Sequence, residues 1–449
     1  MYKTNIEFVN HASVLISHAE ISILSDPWYV GPAFHYGWRL IHELNTQDIL
    51  KVLKKTSHIY ISHEHPDHFN TGFFLDKENQ EIIKKNNIKI IFQYTHDKRI
   101  VNFLRNLGFT VKEFKIDEKV KLSKDVEVQI VKHDFIDSSL IVKTPDLKIL
   151  NLNDCPMRDV AIIEKFKKKH GTFDLLLTQF SYAAWKGGVD GKIYRESASL
   201  EKLKSIENQA MILNCKSIVP FASFIYFSNE LNFYMNDSIN TPDKVKNFFM
   251  NKNINIIFLS PGEIQQCNRL KQDNLSLEFW KKKYNEINTS KKDKFQDSVH
   301  FDNLREEFKS YKKRVFKKNS KLIIFLLSKI KLMNFFQPIK VKLYDHRKIY
   351  SYSIFEGLSE YSDSNFDIQM HSQSLFFIFK NEFGFDTLTV NGCFEASREG
   401  FLKSTKSLAI GSLNALGLGI NIKLLKESKI IFLFLTKLRK VFKNINKIK

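Results

Sequence analysis

At 449 residues the chain exceeds what one ordinary hydrophobic core supports, so two domains are expected. A hydrophobic share of 43% is that of a globular protein, and four scattered cysteines (Cys155, Cys215, Cys267 and Cys393) without CxxC spacing exclude a zinc knuckle or a disulfide framework. The net charge is +20, but no recognised nucleic-acid motif stands beside it, and nucleic acid is not an expected partner.

The start MYKTNIEFVNH enters strand-like alternation at once, with no charged n-region followed by an apolar stretch, so no signal peptide is expected. The longest apolar runs, residues 322–327 and 430–435, are six residues each, too short to span a bilayer. Together with the sparse cysteines this predicts a cytoplasmic protein. Residues 5–28 read as a β-hairpin in which Ile6 and Phe8, then Val14 and Ile16, then Ile21 and Ile23 alternate with other residues. His11 and Asp26 fall at strand ends of that hairpin and are candidates to face a site there, in support of its ligands. His35 and His42, in the loop that follows, are read as structural.

The apolar run 57–62 (SHIYIS) then delivers His63-Glu64-His65-Pro66-Asp67-His68. Three imidazoles and a carboxylate within six residues, at a strand end followed by a tight turn, can be aimed at one point. Nitrogen and oxygen donors of this kind suit one or two divalent ions, Zn²⁺, Fe or Mn²⁺. Residues 77–86 look helical and 88–93 a strand, and further alternation follows at 98–108 and 111–114. The run 126–132 delivers His133, and the strand pair 139–143 and 148–153 ends at Asp154. His133 could complete a three-histidine set with His63 and His65, and Asp154 could bridge to a second ion held by Asp67 and His68.

Residues 174–180 (DLLLTQF) read as a buried strand, and the glycine-rich loop 181–191 is either a pocket wall or a plain connection. Helical period returns at 196–215, and 254–259 reads as the last strand of this part. The expected division is residues 1–270 as the catalytic domain, 271–320 as a charged helical linker, and 321–449 as a C-terminal α+β domain. In the last, strands are predicted at 374–380 and 387–390 around a turn. Residues 311–331 carry eight Lys/Arg and no acid, and 421–449 carry nine against Glu427 alone. The second run has apolar residues at helical spacing, so a basic amphipathic helix could touch an anionic membrane at its inner face, or be a solvated face over an ordinary core stripe.

His-x-His-x-Asp-His resembles the metal-binding signature of the metallo-β-lactamase superfamily. DPWYVGPAFHYGWRLIHE (26–43) followed by HIYISHEHPDH (58–68) resembles the corresponding region of the CMP-N-acetylneuraminate hydroxylase family. The likeness continues through LNLNDC (150–155), VPFASF (219–224) and FLSPGE (258–263), and so covers roughly residues 5–270. It implies an α/β fold, a four-layer αββα sandwich with metals at one edge. It also implies His63, His65 and His133 at a first metal, Asp67 and His68 at a second, and Asp154 between them. The hydroxylase family carries a Rieske domain whose [2Fe–2S] cluster has Cys and His ligands. The sequence has no Cys-x-His pair, so either a separate electron-transfer protein supplies electrons or the chemistry is not redox. Many hydrolytic members of the superfamily have a last metal-binding histidine near the end of the domain. VPFASF and FLSPGE contain none, which leaves the second position incomplete.

Three functions follow. The first is a metal-dependent hydrolase in which metal-activated hydroxide, oriented by Asp67 or Asp154, cleaves a phosphodiester, lactone or related ester. The second is an iron-dependent hydroxylase component acting on an activated sugar such as a CMP-sialic acid. The third is a membrane- or polyanion-binding scaffold with a structural metal.

Overall fold

The computed structural model describes residues 2–330 and 334–421. Two seven-stranded sheets dominate it. The first has the spatial order 264–266, 5–10, 13–18, 21–25, 58–61, 89–93 and 111–114. Its N-terminal strands are antiparallel, and from Ile21–Ser25 onward the pairings are parallel. The second runs 255–256, 217–221, 175–179, 148–153, 138–143, 127–132 and 119–121.

Period-two alternation assigns the faces. Ile16, Ile23 and Tyr60 of the first sheet point to the inter-sheet core, where they meet Val128, Ile130, Leu140 and Leu150 of the second. Leu15, Leu24, Ile59 and Ile61 point the other way, onto Ile49, Val52 and Leu53 of the helix Thr46–Lys55 and onto Ile83, Val101 and Leu104. The helices Val160–His170 and Lys192–Leu213 pack together, and Ile163, Phe166, Leu203 and Ile206 bury their apolar side against the same inter-sheet core cluster. The result is helix, sheet, sheet, helix: the expected αββα sandwich.

Packing continues beyond residue 270. Trp280, on the helix Asn274–Asn285, stacks on Phe224 at 3.9 Å and donates its indole N–H to the Leu259 carbonyl at 2.9 Å. Arg39 forms a two-pronged pair with Asp293 at 2.7 and 2.9 Å. The helix Phe301–Lys318 buries Leu304, Phe308, Tyr311 and Val315, a helical stripe, against the C-terminal part.

That part holds a five-stranded sheet, ordered 357–361, 348–353, 339–343, 368–370 and 394–396. The strands predicted at 374–380 and 387–390 are helices instead, Ser372–Lys380 and Gly384–Asn391. Leu375, Ile378 and Phe379 are buried at i, i+3 and i+4, a spacing that a dense apolar run such as LFFIF hides. Gly392, in the left-handed region at φ +68°, ends the second helix as a C-terminal glycine does. Likewise the alternation at 98–108 is the helix Arg99–Asn106, stopped by Gly108 at φ +84°. Among the described residues no helix is long and apolar enough to cross a membrane. The basic helix expected at 421–449 lies, apart from Asn421, outside the described residues.

Candidate metal centre

The strand His58–Ile61 ends inside the sandwich, so the residues after it emerge at the sheet edge. The backbone N–H groups of His68 and Phe69 both donate to the His65 carbonyl, at 3.0 and 2.7 Å, and close the turn. His63, Asp67 and His68 are thereby buried.

Three groups of candidate donors result, each with its atoms within 4.8 Å of one another: His63, His65 and Asp137; His63, His68 and Asp154; and His11, Asp67 and His68. His63 Nε2 lies 2.8 Å from His65 Nδ1 and 3.9 Å from a carboxylate oxygen of both Asp137 and Asp154. His68 Nε2 lies 3.3 Å from Asp67 and 3.6 Å from Asp154, and His11 Nε2 lies 3.4 Å from Asp67. Asp154 thus stands between the His63 and His68 sides.

Asp26 holds this arrangement from behind. It adopts φ +38°, an uncommon conformation for a non-glycine residue, and turns its carboxylate under the motif. Its oxygens accept from Ser62 N at 2.7 Å and Ser62 Oγ at 2.8 Å, and one faces His68 Nδ1 at 2.9 Å. Occupying Nδ1 leaves Nε2 aimed into the cluster, which is how a carboxylate orients a metal-binding imidazole. Behind Ser62, its carbonyl accepts from Ser138 Oγ at 2.6 Å and Gln93 Nε2 at 3.2 Å. Asn153 Nδ2 and Tyr60 OH both donate to the Ser138 carbonyl, at 2.8 and 2.9 Å. The loop bearing Asp137 is pinned by the same network.

The electrostatics are those of a site short of positive charge. Burial, reinforced by Asp154, pushes the Asp137 carboxyl up to about 7. Burial works against charge on His68, but Asp67, Asp154 and Asp26 around it hold its imidazole well above the ordinary range. Four buried atoms (His11 Nδ1, Asp67 Oδ1, His68 Nε2 and Asp154 Oδ1) have no hydrogen-bond partner among the described residues. Buried polar atoms are normally satisfied, and a cluster of orphans among imidazoles and carboxylates fits one or two divalent cations.

His133 is not in the cluster. Its Nε2 lies 2.9 Å from Ser139 Oγ, its ring stacks on Phe166 at 5.7 Å, and burial lowers its pKa to about 4. Strand parity is the reason. His133 continues the face of Gln129 and Val131, which is turned to the helix Val160–His170, and its N–H donates to the Asp137 carbonyl across a tight turn. Asp137, on the return from that turn, reaches the site instead. Sequence reading missed it because the carboxylate belongs to no motif. His35 stacks on Phe377 at 4.3 Å, as a structural histidine would. The loop 181–191 is packed: the Trp185 ring lies 4.7 Å from both Phe394 and Phe401, and the Trp185 backbone N–H donates to the Thr389 carbonyl at 2.9 Å.

Residues 5–177 match the Beta-lactamase superfamily domain. This part of the chain is a metallo-β-lactamase-fold domain. The chain is similar to the cytidine monophosphate-N-acetylneuraminic acid hydroxylase of Asterias rubens, 27% identical over 286 residues, covering 58% of this chain and 41% of that one. It is similar to the enzyme of Mus musculus at 25% over 291 residues, covering 60% of this chain and 48% of that one. The chain therefore spans about half the length of the curated relatives it matches. Among solved structures it is similar to a possible metal-dependent hydrolase from Veillonella parvula, with TM-score 0.44 and 15% identity, covering 59% of this chain and all of that one.

Proposed function

We propose that the chain is a hydrolase of small-molecule esters, lactones or phosphodiesters that works with two divalent ions. His63, His65 and Asp137 would hold one, His11, Asp67 and His68 the other, with Asp154 between them. The observation that carries this reading is the set of candidate donors converging from four separate segments of the chain, with orphaned buried atoms on His11, Asp67, His68 and Asp154. His11 supplies the position that VPFASF and FLSPGE leave without a histidine. Bound divalent ions lower the pKa of a coordinated water to about 7 and polarise an acyl or phosphoryl oxygen. Asp26 keeps the His68 ring in orientation throughout, and Asp154, set between the two halves, is placed to accept a proton from the attacking water. Water is the only co-reactant this reaction needs.

A second reading, a hydroxylase component acting on an activated sugar, is favoured by the hydroxylase relatives and by the carboxylate-rich donor set, which suits iron. It would draw electrons from another protein. Metal analysis of protein purified without added metal separates the two. Zinc or manganese with turnover of ester, lactone or phosphodiester panels, lost in His65→Ala, supports hydrolysis. Iron with oxygen consumption on addition of a reductase overturns it in favour of hydroxylation.

A further inference from the structure

Asp154 ends the strand Lys148–Asn153, which pairs in parallel with Leu175–Gln179. Because Asn153 is opposite Thr178, Gln179 emerges beside Asp154 at the same sheet edge. Gln179 Oε1 takes the ammonium of Lys202, which reaches over from the helix Lys192–Leu213. Lys202 is only 9% exposed, yet no carboxylate among the described residues lies within ion-pair distance of it. A buried ammonium whose one partner is a neutral amide is costly to maintain.

A second cation stands near it. Arg158 follows Asp154 by four residues, and the segment between is tied to the lysine-bearing helix by Gln209, whose Nε2 donates to the Met157 carbonyl at 2.7 Å. Arg158 is exposed at its place in the chain. Among the described residues it makes no hydrogen bond and no ion pair, and Glu201 and Asp154 act on it only at longer range. Arg158 and Lys202 repel each other, burial disfavours the charge on both, and Lys202 also feels Asp154. Two basic side chains near the candidate reaction centre, neither with a carboxylate within ion-pair distance among the described residues, leave room for an anion.

We infer that Arg158 and Lys202 form an oxyanion subsite that holds a phosphate or carboxylate of the substrate beside Asp154. The inference rests on reading the donor cluster as a reaction centre and narrows its substrate to an anionic small molecule. Guanidinium supplies a planar fork of donors and ammonium a point charge, and together they match a tetrahedral or planar oxyanion. The Gln179 amide keeps the lysine extended towards the site.

The test is calorimetric titration of chelator-treated full-length protein with inorganic phosphate and, separately, with acetate, so that no metal competes for either ion. One saturable site is expected for at least one of them, and whichever binds more tightly names the group. Arg158→Gln and Lys202→Gln are each expected to raise Kd about tenfold, the effect of losing one charged hydrogen-bonding partner. Lys216→Gln, an exposed lysine paired with Asp174 away from the site, is expected to leave it unchanged. Arg158→Gln removes an accessible side chain and keeps the result interpretable if Lys202→Gln fails to fold. No saturable binding, or an unchanged Kd in Arg158→Gln, overturns the subsite. Metal content is measured separately, so anion binding without any metal binding would overturn the hydrolase reading and leave the subsite standing.

Discussion

Individual side chains decide whether the cluster is a metal centre. Asp137→Ala and His133→Ala make the sharpest pair, because the two residues close one turn yet face opposite sides of their sheet. Asp137→Ala is expected to lower bound metal by about one ion per chain, and His133→Ala to leave it unchanged, both read by elemental analysis. The reverse result would return His133 to the ligand set. Asp26→Asn keeps the shape but weakens the contact to His68 Nδ1, and metal affinity is expected to fall about 10–100-fold in a chelator competition. At this scale the motif residues, His11, Asp26 and Asp154 were all legible, since each follows a readable strand. Asp137 was not. An aspartate in a tight turn carries no signal until parity shows that residue 133, on the face of 129 and 131, points away from the inter-sheet space.

Between elements, the loop at 33–37 joins the site to the C-terminal helices. Phe34 sets its ring edge-to-face on His65 at 5.8 Å, and its carbonyl accepts from Asn391 Nδ2 at 3.1 Å. The helix Gly384–Asn391 thus supports the residue that covers a candidate ligand. Gly37 is a point of close approach between the two, for a Cβ there would lie 2.3 Å from Asn391 Cβ. Gly37→Ala is expected to destabilise the protein by about 1–3 kcal/mol, the usual cost of overpacking, measured as a lowered denaturation midpoint. An unchanged midpoint would mean that the contact yields freely. The sandwich strands could be read because one face of each was buried and alternation survived. The helix at 372–380 could not, because a run of phenylalanines satisfies both periods and packing against Phe301–Lys318 settles the matter, and the helix at 384–391 packs in turn on 372–380.

Across the whole molecule, several histidines share one imbalance. Burial brings His35, His58, His133 and His170 from 6.5 down to about 4. Between those values the unfolded chain binds more protons than the folded one. Stability is therefore expected to rise with pH from about 4 to 6.5 and to be lost on acidification through that window, as read by denaturant midpoints at each pH. His58, buried beside Lys89 and Lys112 with Ser57 Oγ 2.9 Å from its Nδ1, allows a direct check: His58→Gln should flatten the curve. A pH-independent midpoint would remove the idea. Trp280 tests the continuity of the fold beyond residue 270, since Trp280→Ala should cost about 3–5 kcal/mol if its stack on Phe224 is core packing. The sandwich and most of the candidate donors were readable from the chain alone, because alternation and ligand spacing are local properties. Only the pairing of distant segments brings Asp137 rather than His133 to the candidate donor cluster and sets His11 beside Asp67. Each of those depends on which strand ends share an edge and which face a turn presents, and such quantities exist only once distant segments have paired.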